Sequence, residues 1–189
     1  MLRGILVMLA LAMTLCSCSG EARRDASAKG VAKMGITVKS SAFNDGGMIP
    51  KKYTADGADV SPPLSWTAPS NGVKSYALIA DDPDAPGRVW VHWVAYNLPA
   101  DPAELAENQP KQEHLPNGGL QGMNDMRKIG YNGPAPPSGV HRYYFKICAL
   151  DTKLALKPGA TKAELLNAME GHILAQGQLM GRYTREGKF

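Results

Sequence analysis

A chain of 189 residues with 44% hydrophobic and 20% charged side chains has the size and composition of one folded domain with its own core. The net charge of +4 is spread over scattered Lys and Arg, with no run longer than Lys51-Lys52 or Arg23-Arg24, which argues against nucleic acid as a partner. Its 20 glycines and 14 prolines favour turns and strands over a helical bundle.

The chain opens on Arg3 and an apolar segment, Gly4–Leu15, too short to span a bilayer and the right length for a signal-peptide core. It runs into Leu15-Cys16-Ser17-Cys18, which resembles the lipobox of bacterial lipoproteins. Cys18, preceded by the small Ser17, fits the lipidated position; Cys16 would put bulky Leu15 at the cleavage site. The alternative is an ordinary secretory signal. Residues 1–17 are therefore read as signal peptide, 18–34 as lipidated cysteine and flexible polar tether, and 35–189 as the domain. The resemblance implies a membrane-anchored lipoprotein of the bacterial cell envelope, facing the periplasm. Only Cys148 then remains in the domain, so no internal disulfide is expected, and its apolar surroundings predict a buried, inert thiol.

Ile36–Val38 reads as a short strand, followed by a turn at Gly46-Gly47. Asp56–Trp66 is a Pro-interrupted loop leading to a Trp expected in the core. Val73–Ala80 is nearly continuously apolar, as an interior strand should be. In the strand Val89–Asn97, strict alternation would put Trp90, His92, Val94 and Tyr96 on one face and Val91, Trp93 and Ala95 on the other. Pro102–Asn108 suggests one or two helical turns, and Leu115–Gly133 a long functional or mobile loop. Val140–Leu150 is a strand with His141, Tyr143, Phe145 and Ile147 on one face and Arg142, Tyr144, Lys146 and Cys148 on the other. Thr161-Lys-Ala-Glu164 is a capping box opening a helix with Leu165, Leu166, Met169 and Ile173 as its buried stripe, ended by Gly177; Gln178–Thr184 returns as a last strand. The sum is a mainly β sandwich with one or two peripheral helices.

Polar groups recur at the strand ends: Asp82, His92, His141 and Tyr143. An imidazole beside a carboxylate can hold a proton and donate it to a phosphate or carboxylate oxygen, and a tyrosine hydroxyl adds a neutral donor. Gly133, beside a Pro-rich turn, could let backbone N–H groups approach a ligand. Arg142 points the other way along its strand and reads as a structural ion-pair partner, and His114 and His172 as structural histidines. Taken singly, each candidate is more simply a packed or turn residue; together they point to a site. Two His and two Asp could form a metal triad, but their spacing matches no compact metal motif. No G-x-S-x-G elbow or P-loop is present, and Cys148 lies on the strand face opposite His141.

The segments DGADVSPPLSW (Asp56–Trp66), DDPDAP (Asp81–Pro86), WVHW (Trp90–Trp93) and GYNGPAPPSGVHRYYF (Gly130–Phe145), in this order, resemble the phosphatidylethanolamine-binding protein family, in its bacterial Raf kinase inhibitor-like branch. The resemblance runs from roughly Gly35 to Tyr183. It implies a Greek-key sandwich of two antiparallel sheets and a small pocket that accepts phosphoryl headgroups, acetate or phosphotyrosine-like groups. Residue by residue, it places the family's pocket on Asp82, Asp84, Trp90, His92, Gly133, His141 and Tyr143, and suggests a cis proline at Pro83 or Pro86. Ala135 departs from the Gly or Cys of many members, and the C-terminal helix that gates the mammalian pocket has no counterpart.

The expected function is non-enzymatic binding of a small phosphoryl or carboxylate anion, a phospholipid headgroup among them, with no metal or cofactor. The alternatives are an inhibitor or modulator offering a surface to a protease or kinase-like partner, and a weak phosphoester or acyl-ester hydrolase using Asp82, His92 and His141.

Overall fold

A computed structural model describes residues 35–185, apart from Ala68 and Ser70. The expected signal peptide, with Cys16 and Cys18, and the expected tether lie outside the described residues.

Five strands form the larger sheet: β3 (Ser75–Asp82), β4 (Trp90–Leu98), β6 (Leu120–Gln121), β7 (His141–Leu150) and β8 (Ile173–Tyr183), in the order β6-β4-β3-β7-β8. A smaller sheet has the order β1-β2-β5, from Val38–Lys39, Leu64–Trp66 and Glu104–Leu105. Every strand pairing in both sheets is antiparallel. The fold is therefore mainly β, as the composition indicates, with one α-helix, α1 (Lys162–Met169), among the described residues.

Two apolar layers hold it together. One lies between the sheets, where Val38, Leu64, Trp66, Leu78, Trp93 and Phe145 pack. The other lies on the opposite face of the larger sheet, where Ile79, Val94 and Tyr96 meet Leu165 and Met169 of α1. The strand β3 is covered on both faces, which is why it reads as a nearly unbroken apolar run and is buried along its whole length. Strand β7 keeps the expected alternation, with His141, Tyr143, Phe145 and Ile147 turned inward.

Strand β4 does not. Ala80 pairs with Trp93 and the next residue, Asp81, pairs with Val91, so His92 is an extra residue, a β-bulge. Val91 and Val94 both join the layer under α1, whereas Trp93 joins the layer between the sheets. His92 thus leaves the face of Val94 and Tyr96 that strict alternation would give it.

Other expectations are corrected. The capping box is present, with the Thr161 side chain accepting from the Glu164 N–H and Glu164 returning to the Thr161 N–H. The helix, however, ends at Met169, because Gly171 adopts φ 82° and turns the chain into β8. Ile173 therefore begins a strand instead of extending the helical stripe, Gly177 lies inside that strand, and Leu166 is exposed. Within Pro102–Asn108 the chain forms no helical turn but the short strand β5, Glu104–Leu105, since Leu105 buries its side chain against the sandwich. The first strand is Val38–Lys39, slightly later than Ile36–Val38. The cis peptide bond among the described residues is Asp101–Pro102, not at Pro83 or Pro86. There the Asp82 carboxylate accepts the Asp84 N–H at 2.8 Å and closes the turn.

Around the short strand β6, the long stretch Leu115–Gly133 is ordered by side-chain hydrogen bonds. Gln121 accepts from the Trp93 indole and donates to the carbonyls of Pro110 and Gln112. Asn124 accepts from the Met126 and Lys128 N–H groups and donates to the Gly130 carbonyl.

Candidate functional site

Three strand ends converge on one cavity of about 470 Å³. Asp82 closes β3, Trp90 opens β4 opposite it, and His141 opens β7 with Tyr143 two residues on, on the same face. Asp82, Trp90, His92, Gly133, His141 and Tyr143 all line this cavity. The bulge explains how His92 joins them: a bulge commonly re-aims a side chain beside a site. Asp82, His92, His141 and Tyr143 are buried, and Trp90 is half-buried.

The polar groups are wired in a definite way. The His141 Nδ1 meets the Asp82 carboxylate at 2.7 Å, so that nitrogen carries the proton and Nε2 is left for a ligand. His92 Nδ1 donates to the Asn132 carbonyl at 2.7 Å, and the Asn132 N–H returns a bond to the His92 carbonyl. Nε2 is again the ring nitrogen left over. Burial pushes the His92 imidazole below its ordinary titration range, against the opposing pull of the Asn132 carbonyl and of Asp82. The Tyr143 hydroxyl is buried beside the Asp82 carboxylate and closes no well-aligned hydrogen bond. Burial, reinforced by the Asp82 charge, holds its proton far more tightly than usual. Its ring packs edge-on against His92 and stacks with His141, which fixes both imidazoles.

The remaining walls are largely apolar: Ala85, Pro86, Met126, Pro136 and Pro137. The Arg88 guanidinium lies 4.9 Å from the Trp90 ring centre and backs that wall. A larger cavity of about 700 Å³ lies alongside, and Arg185 borders both. That cavity lacks the histidines, and its Arg185 is tied to Asp56 at 2.8 Å, so the chemistry belongs to the smaller one.

Two expected site residues have other occupations. Asp84 does not line the cavity; it forms a two-pronged ion pair with Arg142 and accepts the Arg142 N–H as well. That guanidinium holds the Asp84 carboxyl down at about 2. Gly133 lines the cavity, but its N–H donates to Asp59, and a Cβ there would come within 2.7 Å of the Thr54 backbone. It is glycine because two backbones touch, not because it offers an N–H to a ligand. Cys148 is partly exposed on the opposite sheet face, with burial raising its thiol to about 11. Among the described residues no cluster of His, Cys, Asp or Glu is arranged to hold a metal ion.

Asn132, Met126 and Arg185 belong to the site and escape a reading of the residues one segment at a time. Asn132 sits beside Gly133 in the quoted G-Y-N-G-P segment, where its neighbour drew the attention. Met126 and Arg185 are brought in by tertiary contacts and leave no local pattern.

Residues 39–184 match the family described as phosphatidylethanolamine-binding protein. A UPF0098 protein of Methanothermobacter thermautotrophicus is 55% identical over 150 residues, covering 79% of this chain and 99% of its own. A UPF0098 protein of Aquifex aeolicus is 45% identical, covering 80% of this chain and 90% of its own. Among solved structures, a phosphatidylethanolamine-binding protein homologue from Chlamydia trachomatis superposes with a TM-score of 0.74 at 41% identity, over 80% of this chain and 99% of its own. Escherichia coli YbcL, described as a member of the mammalian family, gives the same TM-score of 0.74 at 30% identity, over 80% and 99% of the two chains.

Proposed function

This chain belongs to the phosphatidylethanolamine-binding protein family, and we propose that it binds a small phosphoryl or carboxylate anion in the cavity of Asp82, His92, His141 and Tyr143, without turning it over. The observation that carries this reading is the buried Tyr143 hydroxyl, close to Asp82 but without a well-aligned hydrogen bond, beside two imidazoles whose Nδ1 atoms are already committed. A buried hydroxyl left unpaired costs about 1–3 kcal/mol, so a ligand oxygen that accepts from it recovers a real deficit.

Charge sets the condition for binding. With both imidazoles neutral, the cavity carries the Asp82 charge alone, because Arg185 is balanced by Asp56. That arrangement repels an anion. Proton uptake by His92, which burial keeps neutral in the free protein, offsets that charge and makes its Nε2 a charge-assisted donor beside the Nε2 of His141. The anion and a proton on His92 therefore bind together.

The same groups argue against turnover. A tyrosine whose proton is held this tightly is a donor and not a nucleophile, and the thiol of Cys148, raised to about 11, lies across the sheet. The lipobox-like Leu15–Cys18 supports a position at the bacterial cell envelope, on a lipid anchor at Cys18.

The test is a titration with phosphate and with phosphoethanolamine, following the histidine NMR signals of wild type and of His92→Ala. The expected outcome is saturable shifts of His92 and His141, with the His141 shift weakened or lost in the variant. Phosphoethanolamine binding more tightly than phosphate would favour a headgroup. Absence of any shift at millimolar concentrations of either would overturn the reading.

A further inference from the structure

We propose that a second surface, the groove between α1 and the loop Met123–Ile129, docks an acidic, apolar peptide segment of a protein partner. This groove, about 540 Å³, is lined on the helix side by Lys162 and Leu166 and on the loop side by Met123, Asp125 and Arg127, with Arg88 from the start of β4. It lies on the α1 side of the larger sheet, and its occupant is independent of the anion in the histidine cavity.

Two features define the occupant. The first is exposed apolar area: Met123 is 39% and Leu166 46% exposed on the two walls. Both are unbranched or singly branched side chains, able to repack around apolar groups that enter between them. The second is an unbalanced charge. Arg88 is matched by Asp125 at 3.0 Å. Lys162 and Lys146 share the single carboxylate of Asp81, which is buried under them. Arg127 has neither an ion pair nor a side-chain hydrogen bond among the described residues. Along the groove itself Arg88, Arg127 and Lys162 stand against the one carboxylate of Asp125, with Lys162 sharing the buried Asp81 behind it, and the excess is positive.

The Arg127 backbone is also held in place. It occupies a left-handed conformation, φ 58°, at the tip of the turn caged by Asn124. With the backbone already ordered at the lip of the groove, binding has only the exposed side chain to order. The concavity argues for a peptide over a bilayer. A groove receives protruding side chains, and the surface of a bilayer offers none. Acidic groups would meet Arg127 and Lys162, and apolar groups would enter between Met123 and Leu166.

The test uses fluorescence anisotropy with a labelled short peptide alternating glutamate and leucine, and a second alternating lysine and leucine. Two variants leave the histidine cavity alone: Arg127→Asn, since asparagine accepts the left-handed backbone, and Leu166→Glu on the exposed helix face. Saturable binding of the acidic peptide alone is expected, weakened by about tenfold in each variant, with phosphate affinity in the cavity unchanged. Equal binding of both peptides, no saturation, or unchanged affinity in both variants would overturn the proposal. Loss of binding to phosphatidylglycerol vesicles in the same variants, without peptide binding, would overturn it in favour of a membrane surface.

Discussion

Tyr143 separates stability from binding more cleanly than any other side chain in the cavity. Its ring is core, packed between His92 and His141, while its hydroxyl lies near Asp82 without a well-aligned hydrogen bond. Tyr143→Phe should therefore leave the melting temperature close to that of wild type, because no well-formed hydrogen bond is lost and a buried polar atom is removed. The same change should weaken phosphate binding by about tenfold, the worth of one hydrogen bond to a charged oxygen. Thermal melts and a phosphate titration on the one variant check both halves. A destabilised variant with unchanged affinity would assign the hydroxyl to the fold. His141 and Tyr143 were legible from the alternation of their strand, and so was the role of Arg142 as an ion-pair partner. Asp84 was not, because only the fold reveals that Arg142 reaches back across the turn to meet it. His172 makes an exposed contact with Asp151, in keeping with a structural histidine.

Among the elements, the loop that follows β6 organises the most from the least regular structure. Asn124 satisfies three backbone groups there, and Met126 and Arg127 on either side of its turn face the cavity and the groove respectively. Asn124→Ala leaves those groups without their partner and should cost about 2 kcal/mol or more of unfolding free energy. It should also weaken phosphate binding by releasing Met126 from the cavity wall. Chemical denaturation with a parallel phosphate titration measures both, and a native-like midpoint would show that the turn holds itself. Elements with a local signature, the capping box of α1 and the alternation of β7, could be read directly. The bulge of β4 could not. It is set by how β3 pairs with β4, and no alternation within β4 announces it. The end of α1 was obscured for a similar reason. Ile173 continues the helical spacing of Leu165 and Met169, and only the turn at Gly171 reassigns it to a strand.

At the scale of the whole molecule, the two proposed recognition surfaces lie on opposite faces of the larger sheet, at the same end of β4. Trp90 and His92 line the cavity, and Arg88 and Val91 border the groove. The sandwich makes this possible by burying β3 and β4 on both sides, so that their ends hold Asp82 and His92 rigidly. Rigidity is what an anion site with few donors requires, since the ligand should not have to order the groups that bind it. The central claim is that the anion and a proton on His92 enter this cavity together. It follows from the Asp82 charge and from a His92 imidazole that burial keeps neutral in the free protein. Because the free-state titration of His92 lies low and the bound anion must raise it, affinity should strengthen as pH falls toward the ordinary histidine range and fade above it.

Calorimetry of phosphate binding, repeated in buffers of different ionisation enthalpy, reads this directly. The predicted result is net proton uptake by the complex near neutral pH, reduced in His92→Ala. Binding with no dependence on buffer, or with proton release by the protein, would contradict an anion held by the His92 imidazolium.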